Sequence, residues 1–497
     1  MEKTELRKIA LQSFMGGLSP SLYLSAEDQY QAGSGIDPIK EPGILRAGPA
    51  ENISGLNPSG INALISKVVV PGVSGDEQFA YGYITGAAAS TLFCRIDLFN
   101  LASTVNASFV DGALVIDSTV NSGDVGGVGV FQGKVYFAAD GTYIGSFTPG
   151  ATPTAAIHTL AGLSARTYSP FHSFNNSLYI GNLNTLYVYD GTTTNASAFD
   201  IETGYEIDHI VDYNNYLVFT ASRFAGGPTE NITSTTYAFF WDTTSPRALQ
   251  IVAIQGETRV RGLKSFKGIL YLLGSNALYR FNGSAFEPVV SFSVGGYTGN
   301  SNITLSSSVE VEGLATWKNY VVWAGTNEVF FYGSPDPRIP PGIYSPLKFS
   351  TGTPVFVLGE KDSLLLVTGT STNRVVIFET GGMAGASCDT KRINFGNKVK
   401  IKGIRIRNKA LASTESISVS YRYRAGTGEG AVNFGAYTQA ADGSVSEKFL
   451  DPDSQPVIDH CYLRIVFNGG GEQIITALSY LFYEIVPDEP YRTITPT

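Results

Sequence analysis

Apolar and polar residues alternate along most of the chain in short runs, each ended by Asn, Gly, Asp or Lys. Alternation of period two, rich in Val, Ile, Tyr and Phe and bounded by turn formers, predicts strands. One unit recurs: an aromatic residue, a turn pair, then an alternating strand. It reads FQGKVYF at 131–137, FNNSLYI at 174–180, YNNYLVF at 213–219, FKGILYL at 266–272 and WKNYVVW at 317–323. A looser copy is LGEKDSLLLV at 358–367. Successive starts at Phe131, Phe174, Tyr213, Phe266 and Trp317 stand 43, 39, 53 and 51 residues apart. Several copies lead into a second hairpin turn, in LYVYDG at 186–191, LYRFNG at 278–283 and VFFYG at 329–333.

A spacing of roughly 40–50 residues with about four short strands is that of a propeller blade. Asn and Gly supply the positive φ that a tight hairpin turn needs. Alternate residues such as Leu178 and Ile180 then share a face that only a neighbouring blade can bury, so blades must stack. With a degenerate copy at FAYGYI (79–84) and LFCRI (92–96), about seven units fit between residues 59 and 385. The pattern changes after Gly381-Gly382. RINFGNKVKIKGIRIRNKA (392–410), SISVSYRYRA (416–425), VSEKFL (445–450), HCYLRIVFNGGG (460–471) and ALSYLFYEIV (477–486) predict five strands of a β-sandwich over 386–497.

The first 58 residues fit neither part. One apolar turn of helix is compatible with Glu2 to Gln12, and the Gly- and Pro-rich remainder reads as an extended arm. Its apolar anchors Phe14, Leu18, Tyr23, Ile36, Ile39 and Leu45 favour ordering on another surface. The fold expected is therefore all-β: an arm over 1–58, a β-propeller over 59–385 and a sandwich with a C-terminal tail over 386–497.

Composition agrees and sharpens this. Charged residues are 15%, against roughly 25% in an average soluble chain, while Gly numbers 55 and aromatics reach 12%. The net charge of −9 is thinly spread, and the densest basic stretch, Lys391 to Arg407, alternates with Ile and Val as the polar face of strands. No basic groove for nucleic acid is expected. Cys94, Cys388 and Cys461 read as buried free thiols. No leader-like or membrane-spanning apolar run stands out, so a soluble chain is expected.

Candidate chemistry is sparse. HExxH, GxSxG and P-loop motifs are missing. His158, His172, His209 and His460 lack ligand-like spacing, and no metal or other cofactor is expected. Asp140, Asp190, Asp242 and Asp362 are carboxylates of the kind a propeller glycosidase would pair, but they sit at turns that use Asp structurally. Asp451 and Asp453 in DPDSQP lack the further oxygen ligands of a calcium loop. Trp241, Trp317 and Trp323 read as blade core rather than sugar platforms. The expectation is a chain without catalytic residues, not an enzyme.

The arm sequence FMGGLSPSLYLSAEDQYQAGSGIDPIKEPGILRAG (14–48) carries a resemblance. Phe14, Gly16, Gly17, Leu18, Ser19 and Pro20, then Asp28 and Gln29, then Pro42, Gly43, Leu45 and Arg46 resemble the opening of tailed-bacteriophage tail propeller proteins, the podophage tail nozzle family among them. The resemblance implies a structural virion protein made in the host cytoplasm and assembled as a homo-oligomeric, six-fold ring. The arm would contact neighbouring subunits or adjacent tail proteins such as an adaptor or fibre, and DNA would be met only through the ring's channel. A receptor-binding tail module that recognises host surface glycan is the alternative, and a propeller glycosidase the third reading.

Overall fold

The computed structural model describes residues 6–11, 14–19, 28–41, 44–49, 127–139, 143–148, 169–223, 235–292, 302–306, 312–349, 382–425, 428–438 and 445–484. It adds the backbone of the strands at 51–53, 61–71, 78–86, 91–97, 154–159, 354–360, 363–368 and 374–378. Among these residues there is no α-helix. The chain forms two compact units: residues 1–50, 332–348 and 380–497 in one, and 51–331 with 349–379 in the other.

The first unit opens with β1 (Leu6–Leu11), β2 (Gly17–Leu18), β3 (Gln29–Ser34) and β4 (Leu45–Arg46). The helical turn expected near the start is therefore a strand: β1 pairs antiparallel with a partner at 478–483, and that ladder supplies the hydrogen bonds a lone turn would leave to water.

The second unit begins with β5 (Glu51–Ile53) and carries seven sheets. The first is β6 (Ile61–Pro71), β7 (Gln78–Gly86) and β8 (Thr91–Asp97). The second is β9 (Val128–Phe131), β10 (Lys134–Ala139), β11 (Tyr143–Phe147) and β12 (Thr154–Thr159). The third is β13 (Phe171–Phe174), β14 (Ser177–Asn182), β15 (Thr185–Tyr189) and β16 (Thr194–Asp200). The fourth is β17 (Tyr205–Tyr213), β18 (Tyr216–Arg223), β19 (Thr236–Trp241) and β20 (Gln250–Ile254). The fifth is β21 (Val260–Phe266), β22 (Ile269–Gly274), β23 (Ala277–Phe281) and β24 (Phe286–Ser291). The sixth has β25 (Leu314–Trp317), β26 (Tyr320–Ala324) and β27 (Glu328–Gly333), after which β28 (Gly342–Lys348) belongs to the first unit. The seventh joins β29 (Pro354–Glu360), β30 (Ser363–Thr368) and β31 (Arg374–Phe378) to β5.

Innermost strands follow one another as β6, β9, β13, β17, β21, β25 and β29, and β29 lies against β6. That is a closed seven-bladed propeller. β5 antiparallel to β31 closes it with a strand from far upstream, so the last blade needs residues near the start of the chain. The recurrent turns adopt the expected geometry. Gln132 and Gly133, Asn175 and Asn176, Asn214 and Asn215, and Lys267 and Gly268 all have positive φ, the two-residue hairpin signature.

Core residues lie between blades. Phe131, Tyr136, Leu178 and Ile180 pack together from the second and third blades. Tyr179, Leu186, Leu217, Phe219 and Trp241 do so from the third and fourth, and Val218, Phe240, Leu270 and Leu272 from the fourth and fifth. Burial of each Leu or Phe from water is worth about 1.5–3 kcal/mol.

The rest of the first unit is β32 (Ala386–Thr390), β33 (Ile393–Asn408), β34 (Ser416–Ala425), β35 (Gly428–Thr438), β36 (Val445–Phe449), β37 (Ile458–Asn468) and β38 (Ile474–Glu484). One sheet runs β36-β33-β38-β1 with β4 also on β38. The other runs β35-β34-β37-β32-β3-β2-β28, and β33 pairs with β37 at the corner between them. The inner positions Ile401, Ile404, Ile406, Tyr480, Ile417, Val419, Leu463 and Ile465 are all buried. β35 was not expected: its sequence GEGAVNFGAYT has few β-branched residues, and its ladder with β34 compensates.

The three-part division is also corrected. The arm is extended in backbone, but it is not a separate segment lying on a foreign surface. Its β1–β4 and the excursion β28 supply strands to the sandwich, which therefore does not consist of 386–497 alone.

Candidate functional site

The arm residues named by the resemblance are consumed within their own unit. Phe14 and Leu18 are buried, and Leu18 is wholly so. The amide of Gly16 donates to Asp28 O at 3.0 Å, and that of Gly17 to Phe14 O at 3.2 Å. Gly17 and Leu18 run parallel to Gln29 and Tyr30 on one side and to Ile343 on the other. Gly17 has φ +70°, and a Cβ there would stand 2.2 Å from Ile343 O. A Cβ on Gly16 would stand 2.6 Å from Asp28 Oδ1. The Tyr344 hydroxyl donates to Met15 O at 2.7 Å. The Gly-Gly turn is thus explained by close backbone approach inside one chain.

Leu45 and Arg46 pair with Ile475 and Ile474, and Leu45 is fully buried. The Arg46 guanidinium meets Glu41 at 3.0 Å and Glu472 at 2.9 Å. Phe14, Leu18, Leu45 and Arg46 are thus buried within their own unit. Pro20, Pro42 and Gly43 lie outside the described residues.

The candidate carboxylates are turn caps where they are described. Asp190 Oδ1 accepts from the amides of Thr192 and Thr193 at 2.8 and 2.7 Å, and Asp242 Oδ1 from those of Thr244 and Ser245 at 3.0 and 2.7 Å. These bonds favour the ionised form and lower both carboxyl groups, Asp242 to about 2. Asp451 Oδ1 likewise accepts from the Asp453 amide at 3.1 Å. Asp140 and Asp362 lie outside the described residues. No group of three or more His, Cys, Asp or Glu among the described residues could hold a metal ion.

Cys388 and Cys461 are buried free thiols, and burial pushes both well up, Cys461 to about 12. Cys94 and the side chain of His158 lie outside the described residues. His172 Nε2 meets Asp212 Oδ1 at 2.9 Å, and His460 pairs with Asp459. Trp241 and Trp323 are core, donating to Ser245 O at 2.7 Å and Thr304 O at 3.2 Å. Trp317 is half-buried with its ring 5.5 Å from that of Phe331.

Two buried acids in the fourth and fifth blades escaped the sequence reading. Glu257, with no exposed surface, accepts from the amides of Ser275 and Asn276 at 2.6 and 2.9 Å and from the Tyr279 hydroxyl at 2.8 Å. Burial raises its carboxyl above the ordinary range in spite of those donors. Asp208 accepts from the Ser222 hydroxyl. Thr236 adds a bond to Glu257 O at 3.0 Å. This network pins the loop before β21 to the β22–β23 turn, and its donors satisfy a carboxylate that would otherwise be costly to bury.

Aromatic and basic side chains gather instead on the outer face of the sheet β36-β33-β38-β1. Pairing places Phe449, Gly403, Leu481 and Lys8 in one row across the four strands, and Lys400, Tyr483 and Leu6 in another row across three of them. Residues directly opposite in a ladder share a face. Phe449 is 53% exposed and Leu6 47%. Between the rows the register of β33 shifts from Ile401 to Gly403, leaving Lys402 as the extra residue of a bulge. The bulge sets the Lys402 ammonium 6.0 Å from the Phe449 ring centroid and 5.9 Å from that of Tyr483, within cation–π range of both. Gly403 leaves room for the aromatic ring: a Cβ there would stand 2.9 Å from Phe449 Cδ1. Arg405 is paired with Glu447 on the same face. The basic alternation of 391–407 thus signalled this face, while the contribution of Phe449 from another strand did not show in the sequence.

No protein-family model matches the chain, and no curated protein does. Among solved structures it is similar to the Cps50 (Swd1) β-propeller domain from Myceliophteria thermophila, at 10% identity over 67% of this chain and 100% of that one, with a TM-score of 0.41. A sialidase from Trypanosoma rangeli matches at 11% identity over 95% of this chain and 97% of that one, TM-score 0.33. An exo-β-1,3-galactanase from Phanerochaete chrysosporium matches at 10% identity over 63% and 95%, TM-score 0.27. Likeness this distant assigns no activity to the chain. The presence of a sialidase and a galactanase in the set nevertheless overturns the expectation that the chain is not an enzyme, and that expectation is withdrawn.

Proposed function

We propose that the chain is a carbohydrate-recognising module of a tailed-phage virion, with the outer face of the sandwich sheet as its glycan-binding surface. The observation that supports this is the arrangement of Phe449 and Tyr483 on an exposed face with Lys402 between them. Pyranose rings present flat C–H faces that stack on aromatic rings, while their hydroxyl groups hydrogen-bond to flanking polar side chains. The exposed Phe449 and the half-buried Tyr483, held by a sheet, lose little freedom on binding, which favours weak but specific contacts repeated along a polysaccharide. The virion setting follows from the resemblance at 14–48.

The test is binding of the full chain to an array of immobilised bacterial surface polysaccharides, compared with Phe449→Ala and Tyr483→Ala. Binding by the parent and at least a tenfold loss in each variant is the expected result. Unchanged binding in both variants would overturn the assignment of this face. Point substitutions are the right tool, because removing 385–497 would also strip the strands that order the arm.

A further inference from the structure

Resting on that reading, we infer that the ligand of the face is an acidic polysaccharide bearing uronic acid carboxylates, with Lys402 as the residue that selects the charge. The chain as a whole carries a net charge of −9, yet this face is cationic. Lys8 and Lys400 stand in the rows of Phe449 and Tyr483, Arg407 lies opposite Ala477, and Glu447 is paired with Arg405. A surface of opposite sign to its own molecule offers charge complementarity to a polyanion and repels little else.

The bulge makes the case specific. Lys402 follows the inward-facing Ile401 and so points outward, and the register shift then lets Gly403 face outward beside Phe449 while Ile404 returns to the interior. The ammonium therefore lies outside, flanked by both rings, on the side that the absent Gly403 side chain leaves open to Phe449. A uronic acid residue presents both groups that such a trio recognises: a ring face for the aromatic and a carboxylate for the ammonium, a charge-assisted contact. Simple polyanions lack the first group and neutral glycans the second.

Polygalacturonate and its fully methyl-esterified form share one sugar backbone and differ in charge, so they separate the two ideas. Titrations of the full chain with each, and with inorganic polyphosphate, would be run on the parent, Lys402→Gln and Phe449→Ala. Thermal unfolding would check that each variant is folded. The expected result is binding of polygalacturonate at least tenfold tighter than of the ester, with Lys402→Gln abolishing that preference and Phe449→Ala weakening both. Equal binding of acid and ester by the parent would overturn the charge selection while leaving glycan recognition standing. Binding of neither polymer would overturn both proposals for this class of sugar. Polyphosphate binding as tight as polygalacturonate and indifferent to Phe449→Ala would reduce the face to a nonspecific cationic surface, overturning both.

Discussion

Arg46 in β4 reaches Glu472, just before β38, at 2.9 Å, and so ties the threaded arm to a hairpin more than 400 residues away in sequence. The guanidinium is buried while the Glu472 carboxylate is half exposed, and Lys40 also bonds to it at 2.9 Å. Hydrogen bonding from Lys40 lowers the Glu472 carboxyl, against an opposing effect of burial.

Glu472→Gln should destabilise the chain by about 1 kcal/mol at neutral pH, since Arg46 keeps Glu41 as a partner. A carboxyl lowered on folding contributes stability that is complete above its ordinary value of 4.5 and lost as pH falls through the lower folded value. The difference between parent and variant should therefore shrink on acidification. Denaturant midpoints at several pH values would measure it, and a constant difference would count against the ion pair.

Two glycines with nearly the same φ should respond differently. Gly133 has φ +73° and open space around it, so Gly133→Ala should cost only the backbone strain, about 1 kcal/mol. Gly17 has φ +70° and faces Ile343 O, so Gly17→Ala adds a backbone clash and should cost more than about 3 kcal/mol or prevent folding. Thermal unfolding of the two variants side by side tests the threading of β2; equal effects would contradict it.

Glu257 and His209 predict opposite pH slopes. Burial pushes the His209 imidazole down to about 4, and its ring bonds to Val260 O at 3.1 Å. Stability from this neutral histidine is present above its ordinary value of 6.5 and is lost as pH falls toward about 4. For Glu257 the raised carboxyl favours the folded state more below 4.5, and that advantage is lost as pH rises through the higher folded value. His209→Gln should flatten the acid side of the stability profile. Glu257→Gln should remove the opposing slope and lower stability by about 1–3 kcal/mol, because the new amide N–H₂ would confront a backbone donor at Ser275 or Asn276. Unfolding midpoints from pH 4 to 8 decide both.

The isolated segment 386–497 should fail to form a stable sandwich. It lacks β1, β3 and β4, whose partners at Leu478 to Tyr483, Ser387 to Thr390 and Ile474 would be left with unpaired backbone. Near-ultraviolet circular dichroism and limited proteolysis would show a loosely packed state. A cooperative transition matching that of the full chain would refute the shared construction.

What the sequence revealed was local. Asn175-Asn176 and Lys267-Gly268 announce their hairpins because the φ they need is a property of the residues themselves. Trp241 and Trp323 could be assigned to the core from their place in the repeat. The threading could not be read, because Leu6 opposite Tyr483 is specified by backbone bonds that carry no residue code. The same holds for the trio of Lys402, Phe449 and Tyr483. Lys402 was visible within a basic run, but the register shift that brings Gly403 opposite Phe449 was not, and Phe449 comes from a different strand.

The pairing of β5 with β31 has a kinetic consequence. Residues 51–53 leave the ribosome hundreds of residues before their partners at 376–378 exist, and β1 waits still longer for β38. The propeller unit cannot close before residues 374–378 exist, and the sandwich waits for β38, so loop closure of very high contact order falls late and the early strands wait with open edges. The finished molecule gains in return: β1 and β38 share a six-residue ladder that must break before either strand is released, so release from the folded state should be slow.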